Sequence, residues 1–207
     1  MKVISLIGQK GGTGKTTLAQ ILAVHFTGNG KTAIGIDLDP QTSLCSWGDL
    51  RESDDPAIFD TQHSRLNKTL DAARGQGVDV VIIDTAGRAE QAAMAAARVS
   101  DLVILPLQPT AADLTTVQAT QEIVQLAKVK HCFAVLMRVK PKGTRHTETA
   151  TFLKGKGIEV CPHVIGDRVT YQDAAASGLV PAEYEPQGKA ALESEQVCMY
   201  AQKKINI

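Results

Sequence analysis

The stretch QKGGTGKTT, Gln9 to Thr17, follows the apolar run VISLI near the start of the chain and restricts the fold more than any other feature. Glycines in a bend let the backbone curl so that successive N–H groups point inward, which makes a cradle for an anion. In the pattern G-x-x-x-x-G-K-[ST] such a cradle holds phosphate, its lysine reaches the outer phosphates, and its hydroxyl holds magnesium. Gly14, Lys15 and Thr16 fit the end of that pattern, and Gln9 stands where the first glycine is usual. Gly11 and Gly12 still supply the freedom the bend needs. Helical spacing predicts a helix over residues 15–27, whose positive end would face the same point. The bend therefore predicts a phosphate ligand between a first strand and a first helix.

The rest of the chain repeats that alternation. Five short apolar runs recur, VISLI, TAIGI, VDVVIID, DLVILPL and FAVLM. Runs without polar alternation suit strands covered on both faces, as in a parallel sheet. Between them, KTTLAQILAVHF places Leu18, Ile21, Leu22, His25 and Phe26 along one stripe. RAEQAAMAAARVS is rich in alanine, and TAADLTTVQATQEIVQLAK carries Leu114, Val117, Ile123 and Leu126 at helical spacing. The pattern predicts an α/β fold, a doubly wound, mostly parallel sheet flanked by helices, as one domain over residues 1–207. The segment DLRESDDPAIFDTQHSRLNK is the most polar. RVKPKGTRHTETAT is the most basic, with Arg138, Lys140, Lys142, Arg145 and His146, and reads as an exposed loop entering a helix. It is either a solvated loop or a binding site for a ligand or polyanion.

Ligands of such sheets bind beyond the carboxyl ends of the strands, so the residues after each run are the candidates. GIDLDPQTS puts Asp37 and Asp39 at alternate positions, pointing to opposite sides. One carboxylate can approach a metal or its waters while the other faces a nucleophilic water. VVIIDTAG ends a strand in Asp84, a Walker B arrangement in which the carboxylate belongs to a magnesium shell, and Thr85 to Gly87 form a candidate switch for a terminal phosphate.

Composition narrows the partners. Lysine plus arginine equals aspartate plus glutamate, 22 of each, so any polyanion must be held by a local patch. The four cysteines, Cys45, Cys132, Cys161 and Cys198, form no C-x-x-C pair and read as buried structural thiols. No apolar run has the length of a secretory signal or a membrane span, which predicts a cytoplasmic protein without a membrane partner.

Lys10 to Thr17 resembles the deviant Walker A box, KGGxGK[ST], of the ParA/MinD family of ATPases, whose distinguishing feature is an extra lysine at the place of Lys10. The resemblance covers nearly the whole chain and is most specific in the first 90 residues. It implies ATP and Mg2+ as ligands, with Lys10, Gly11, Gly12, Thr13, Gly14, Lys15, Thr16 and Thr17 at the nucleotide. By the match to a D-x-D-P-Q box, Asp37 lies near the metal with Thr16 and Asp84, and Asp39 orients the attacking water beside Lys10 and Lys15. Pro109 and Asp113 match a P-x-x-x-D loop with a structural or dimer-facing role, and Arg138 and Asp167 are placed beside adenine.

The resemblance also implies an ATP-bound homodimer in which Lys10 reaches the partner's nucleotide, nonspecific DNA binding, and a separate adaptor of ParB type for sequence recognition. The position of many relatives' basic R-N-V-R is here DRVT, leaving Arg168, Lys140, Lys142 and Arg145 as DNA candidates, with nucleoid association if they serve. The resemblance to small members of the family, which lack an amino-terminal DNA-reading domain, predicts that this chain does not read DNA sequence itself. Two other readings share the scaffold: an ATP-dependent carboxylase or synthetase resembling dethiobiotin synthetase, and a membrane-positioning ATPase of MinD type. The tail ALESEQVCMYAQKKINI has only a weak apolar stripe, which predicts a docked terminal helix rather than a membrane anchor.

Overall fold

The computed structural model describes residues 1–207. In chain order the elements are β1 (Lys2–Leu6), α1 (Lys15–Gly28), β2 (Ala33–Asp37), α2 (Ser43–Gly48), β3 (Ala57–Asp60), α3 (Leu66–Gly75), β4 (Val80–Asp84), α4 (Glu90–Val99), β5 (Leu102–Leu107), α5 (Ala111–Leu114), α6 (Val117–Leu126), β6 (His131–Leu136), α7 (Arg145–Gly155), α8 (Thr170–Ala176), α9 (Pro181–Tyr184) and α10 (Lys189–Ile205). The strands form one parallel sheet in the order β3-β2-β4-β1-β5-β6. From β1 the chain moves to one side and returns through β4 before continuing to the other, so the order reverses beside the end of β1. That reversal opens a crevice at the carboxyl ends, where the glycine-rich bend lies.

Both faces of the sheet are buried, which explains why the strand runs are apolar without alternation. Ile4, Leu6, Val80 and Ile82 face a cluster of 27 buried residues that includes α1 and α10, while Val3, Ile7, Val81 and Ile83 face one of 26 that includes α3, α4 and α7. Phe26 and Phe133 are fully buried in the first cluster, each worth roughly 1.5–3 kcal/mol relative to exposure. The terminal helix α10 docks there through Ala190, Ala191, Ser194, Val197, Cys198, Ala201 and Ile205, a stripe at helical spacing. No helix is long and apolar enough to cross a membrane. All four cysteines are free, two buried and two half-buried.

The structure departs from the sequence reading in three places. The polar segment, where no strand run was read, contains β3, a four-residue edge strand with two exposed residues, so it lacks the apolar run by which interior strands are recognised. The helix expected from Ala111 onward is broken into α5 and α6. At the break, the hydroxyls of Thr115 and Thr116 donate to the carbonyls of Ala112 and Asp113, competing with the helical ladder. Leu126, counted on the apolar stripe, is 72% exposed, whereas Val117 and Ile123 are buried.

Arg51, after α2, ties this side of the sheet to the carboxyl-terminal region. Its guanidinium stacks on Trp47 and donates to the Gly178 carbonyl and to both oxygens of Glu183. Gly178 has φ +69° and a Cβ there would lie 2.6 Å from the Leu50 carbonyl oxygen. Gly30 has φ +74° with open space around it. Gly30→Ala is expected to cost about 1 kcal/mol from left-handed strain alone, and Gly178→Ala about 3 kcal/mol or more because backbone must also move. Urea denaturation of both variants checks the difference.

Candidate functional site

The carboxyl ends of β1, β2 and β4 are in register, with Leu6 opposite Asp84 and Asp37 opposite Asp84. This pairing sets two carboxylates side by side at 1% exposure each. Asp37 is satisfied by backbone: Oδ1 accepts the Asp39 N–H at 2.8 Å, and Oδ2 accepts those of Leu44 and Cys45 at 2.8 and 3.3 Å. It therefore caps α2 and fixes the acidic turn at the strand end beside Asp84. Burial raises its pKa, opposed by these three N–H groups.

Asp84 is handled differently. Thr16 Oγ1 donates to its Oδ2 at 2.5 Å, while Oδ1 is buried without a partner. Burial pushes its pKa up to about 7, with Thr16 opposing the shift. A buried carboxylate oxygen left open beside a hydroxyl is a place for a cation. The structure has no cluster of three or more His, Cys, Asp or Glu that could cage a metal by itself. A cation held by one carboxylate, one hydroxyl, water and phosphate oxygens suits Mg2+, so the donor set fits that ion.

The bend between β1 and α1 lies directly over these groups. Gly12 and Gly14 have φ +74° and +100°, left-handed values that favour glycine. Lys15 is buried and its Nζ donates to the Lys10 carbonyl at 3.0 Å, inside the loop; burial lowers its pKa, while Asp84 and Asp39 oppose the shift. The Thr13 hydroxyl is buried without a partner. The loop after β4 touches this bend so closely that a Cβ on Gly87 would stand 2.9 Å from the Gly11 nitrogen. Thr85 anchors that loop by donating to the Leu6 carbonyl at 2.8 Å.

A cavity of about 320 Å³ opens from the bend. It is lined by Gly11, Gly12, Gly14, Lys15, Thr16 and Thr17, by Asp39 and Thr85, and further away in sequence by Met137 to Arg138, Ile165 to Arg168, Tyr171, Gln172 and Ala175. The structure thus brings the bend, Asp39, Arg138 and Asp167 to one cavity. Asp39 and Asp37 do point to opposite sides: Asp39 faces the cavity and Asp37 faces α2. Met137, Tyr171, Gln172 and Ala175 were not singled out in the sequence. They lie on a strand end and a short helix with no motif of their own.

Two charged residues sit where the sequence did not place them. Lys10 donates to Asp113 Oδ2 of its own chain at 3.0 Å, and Asp113 is fully buried, also bonded by the Thr110 hydroxyl, with Oδ1 unpartnered. Gln108, from the same loop, donates to the Gly12 carbonyl at 2.8 Å. Arg168, expected to face DNA, is instead paired with Glu193, its NH2 group 2.5 Å from Oε1. Lys140, Lys142 and Arg145 line a second cavity of about 460 Å³ together with Arg138 and His146, and none of these five forms an ion pair.

Residues 4–182 match the family described as the CobQ/CobB/MinD/ParA nucleotide binding domain. The chain is 30% identical over 181 residues to Protein ParA of Rhizobium radiobacter, covering 83% of this chain and 81% of that one. It is 29% identical over 198 residues to the maintenance of carboxysome distribution protein A of Gloeobacter kilaueensis, covering 94% and 89%. A solved McdA–ATP complex from Cyanothece superposes with a TM-score of 0.74 at 18% identity, over 100% of this chain and 97% of that one. The phosphate-type bend at a parallel-sheet crevice and these relatives agree: the chain belongs to the CobQ/CobB/MinD/ParA nucleotide-binding family.

Proposed function

We propose that this protein is a ParA-type ATPase switch that closes into a dimer on ATP and reopens on hydrolysis, serving plasmid or chromosome partition or the positioning of another cargo. The observation that carries the nucleotide part is the open, buried oxygen of Asp84 beside Thr16, next to a glycine-rich bend with two left-handed glycines. The bend holds the phosphates, Lys15 neutralises the outer ones from inside the loop, and Thr16 and Asp84 hold the ion. Mg2+ supplies positive charge to the phosphate oxygens when bound. Asp39, half-buried at the cavity wall, orients the attacking water.

Lys10 is assigned to the nucleotide of the second protomer. A cation delivered from outside the phosphate loop stabilises charge spread over the departing γ-phosphoryl oxygens. In the single chain Lys10 rests on Asp113, so crossing over requires that pair to open. Loss of the γ-phosphate removes the contacts that favour the closed dimer, and the protomers separate. Nonspecific DNA would dock by its phosphates on Lys140, Lys142 and Arg145, with salt-dependent affinity, and a ParB-type adaptor would read sequence. Arg168 leaves this set because Glu193 occupies it.

Lys15→Ala is expected to weaken ATP binding by about 100-fold or more, measured by displacement of a fluorescent ATP analogue. Lys10→Ala is expected to bind ATP but remain monomeric in light scattering. Asp113→Asn frees Lys10 without removing it and is expected to pair at lower ATP concentration than the natural protein. An Asp113→Asn chain that needs more ATP to pair would instead make Asp113 a dimer contact. Asp39→Ala is expected to slow turnover by about 100-fold or more while keeping the ATP dimer, read by phosphate release and scattering on the same sample.

A further inference from the structure

The Glu193 carboxylate, on the terminal helix α10, gathers donors from the cavity wall opposite the phosphate bend. Its Oε2 accepts the Gly166 N–H at 3.0 Å and the Tyr171 hydroxyl at 3.4 Å, and Arg168 donates through Nε at 3.0 Å and NH2 at 2.5 Å to its two oxygens. The single Tyr171 hydroxyl proton is shared between Glu193 Oε2 and the Ala190 carbonyl, 3.1 Å away on the same helix. Gly166 and Arg168 belong to one turn and Tyr171 to the first turn of α8, so a single carboxylate pins two separate pieces of the lining. A Cβ on Gly166 would lie 3.1 Å from both Arg168 Nε and Glu193 Oε2, which shows how tightly the knot closes around the turn. The Arg168 fork and the carboxylate match in the two-pronged geometry that holds orientation best.

Because the bend takes the phosphates, the wall made by Ile165 to Arg168, Tyr171 and Gln172 is left for the nucleoside. We infer that Glu193 and Arg168 are positioning residues for the base-binding wall: their ion pair holds the Gly166–Asp167 turn and Tyr171 in the shape that receives the base, and thereby couples the terminal helix to nucleotide affinity. This rests on the nucleotide reading above and adds residues that neither touch the phosphates nor face solvent as a DNA patch. Glu193 lies about 25 residues beyond the turn it fixes, on an element whose remaining inward residues serve packing.

The test compares ATP with inorganic tripolyphosphate, which fills the bend but not the wall. Glu193→Ala and Arg168→Ala are each expected to weaken ATP about tenfold and leave tripolyphosphate affinity within twofold, by competition against a fluorescent ATP analogue. The double variant is expected to be no weaker than either single one, because the two side chains act as a unit. Glu193→Gln, which keeps an acceptor for the Gly166 N–H but loses the charge facing Arg168, is expected to lose about threefold and serves where the alanine variant does not fold. ATP affinity unchanged in folded variants, or equal weakening of both ligands, overturns the assignment. Natural protein that binds neither ligand removes the nucleotide reading itself, and the assignment falls with it.

Discussion

Two carboxylates, Asp37 and Asp84, end neighbouring parallel strands at 1% exposure each, and the site is organised by how their charge is met. Burying an ionised carboxylate without partners is too costly to persist. Asp37 is met within the chain, by three backbone N–H groups that also start α2 and shape the turn presenting Asp39. Asp84 is met only on one side, by Thr16. Its other oxygen, the unpartnered Thr13 hydroxyl and the buried Lys15 ammonium together describe a site whose balance is completed by a cation and an anion arriving together. A metal–triphosphate pair has that character. The parallel register of β1, β2 and β4 is what makes the arrangement unavoidable once the strands form.

The same economy governs the two other ion pairs near the cavity. Lys10 and Arg168 are each held by an acid from a distant part of the chain, but the consequences differ. The Lys10–Asp113 pair joins the bend to the loop after β5, so it must break for Lys10 to act elsewhere; it sets a threshold. The Arg168–Glu193 pair joins a cavity wall to the terminal helix and has no reason to break; it sets a shape. One pair is thus a point of movement and the other a point of rigidity. Five basic groups without ion pairs, Arg138 to His146, gather along one cavity of the same molecule.

The fold was largely legible because its strands are buried on both faces, which forces continuous apolar runs, and because the bend after β1 has a spacing set by phosphate geometry. The edge strand β3 was not, since half of it meets solvent and its composition is that of a loop. The break between α5 and α6 depends on threonine hydroxyls choosing local carbonyls, a choice that helical periodicity does not reveal. At the site, Gly11 to Thr17, Asp39 and Asp84 follow strand ends and were readable from position. The backbone duty of Asp37 was not, because it depends on how the local turn folds Leu44 and Cys45 back onto the strand end, and the partners of Lys10 and Arg168 were not, because each is decided by which distant element the fold brings within about 3 Å. Sequence spacing names the residues at a crevice; it does not name their counter-ions.

The central claim is that the bend and Asp84 receive a metal–triphosphate together. Calorimetric titration of the natural protein with a non-hydrolysable ATP analogue, in magnesium and again in chelator, tests it most directly. Saturable one-to-one binding that weakens on chelation, with AMP giving far less heat, is the predicted result. Folded protein that gives no heat with the analogue, or binds AMP equally well, would contradict the account.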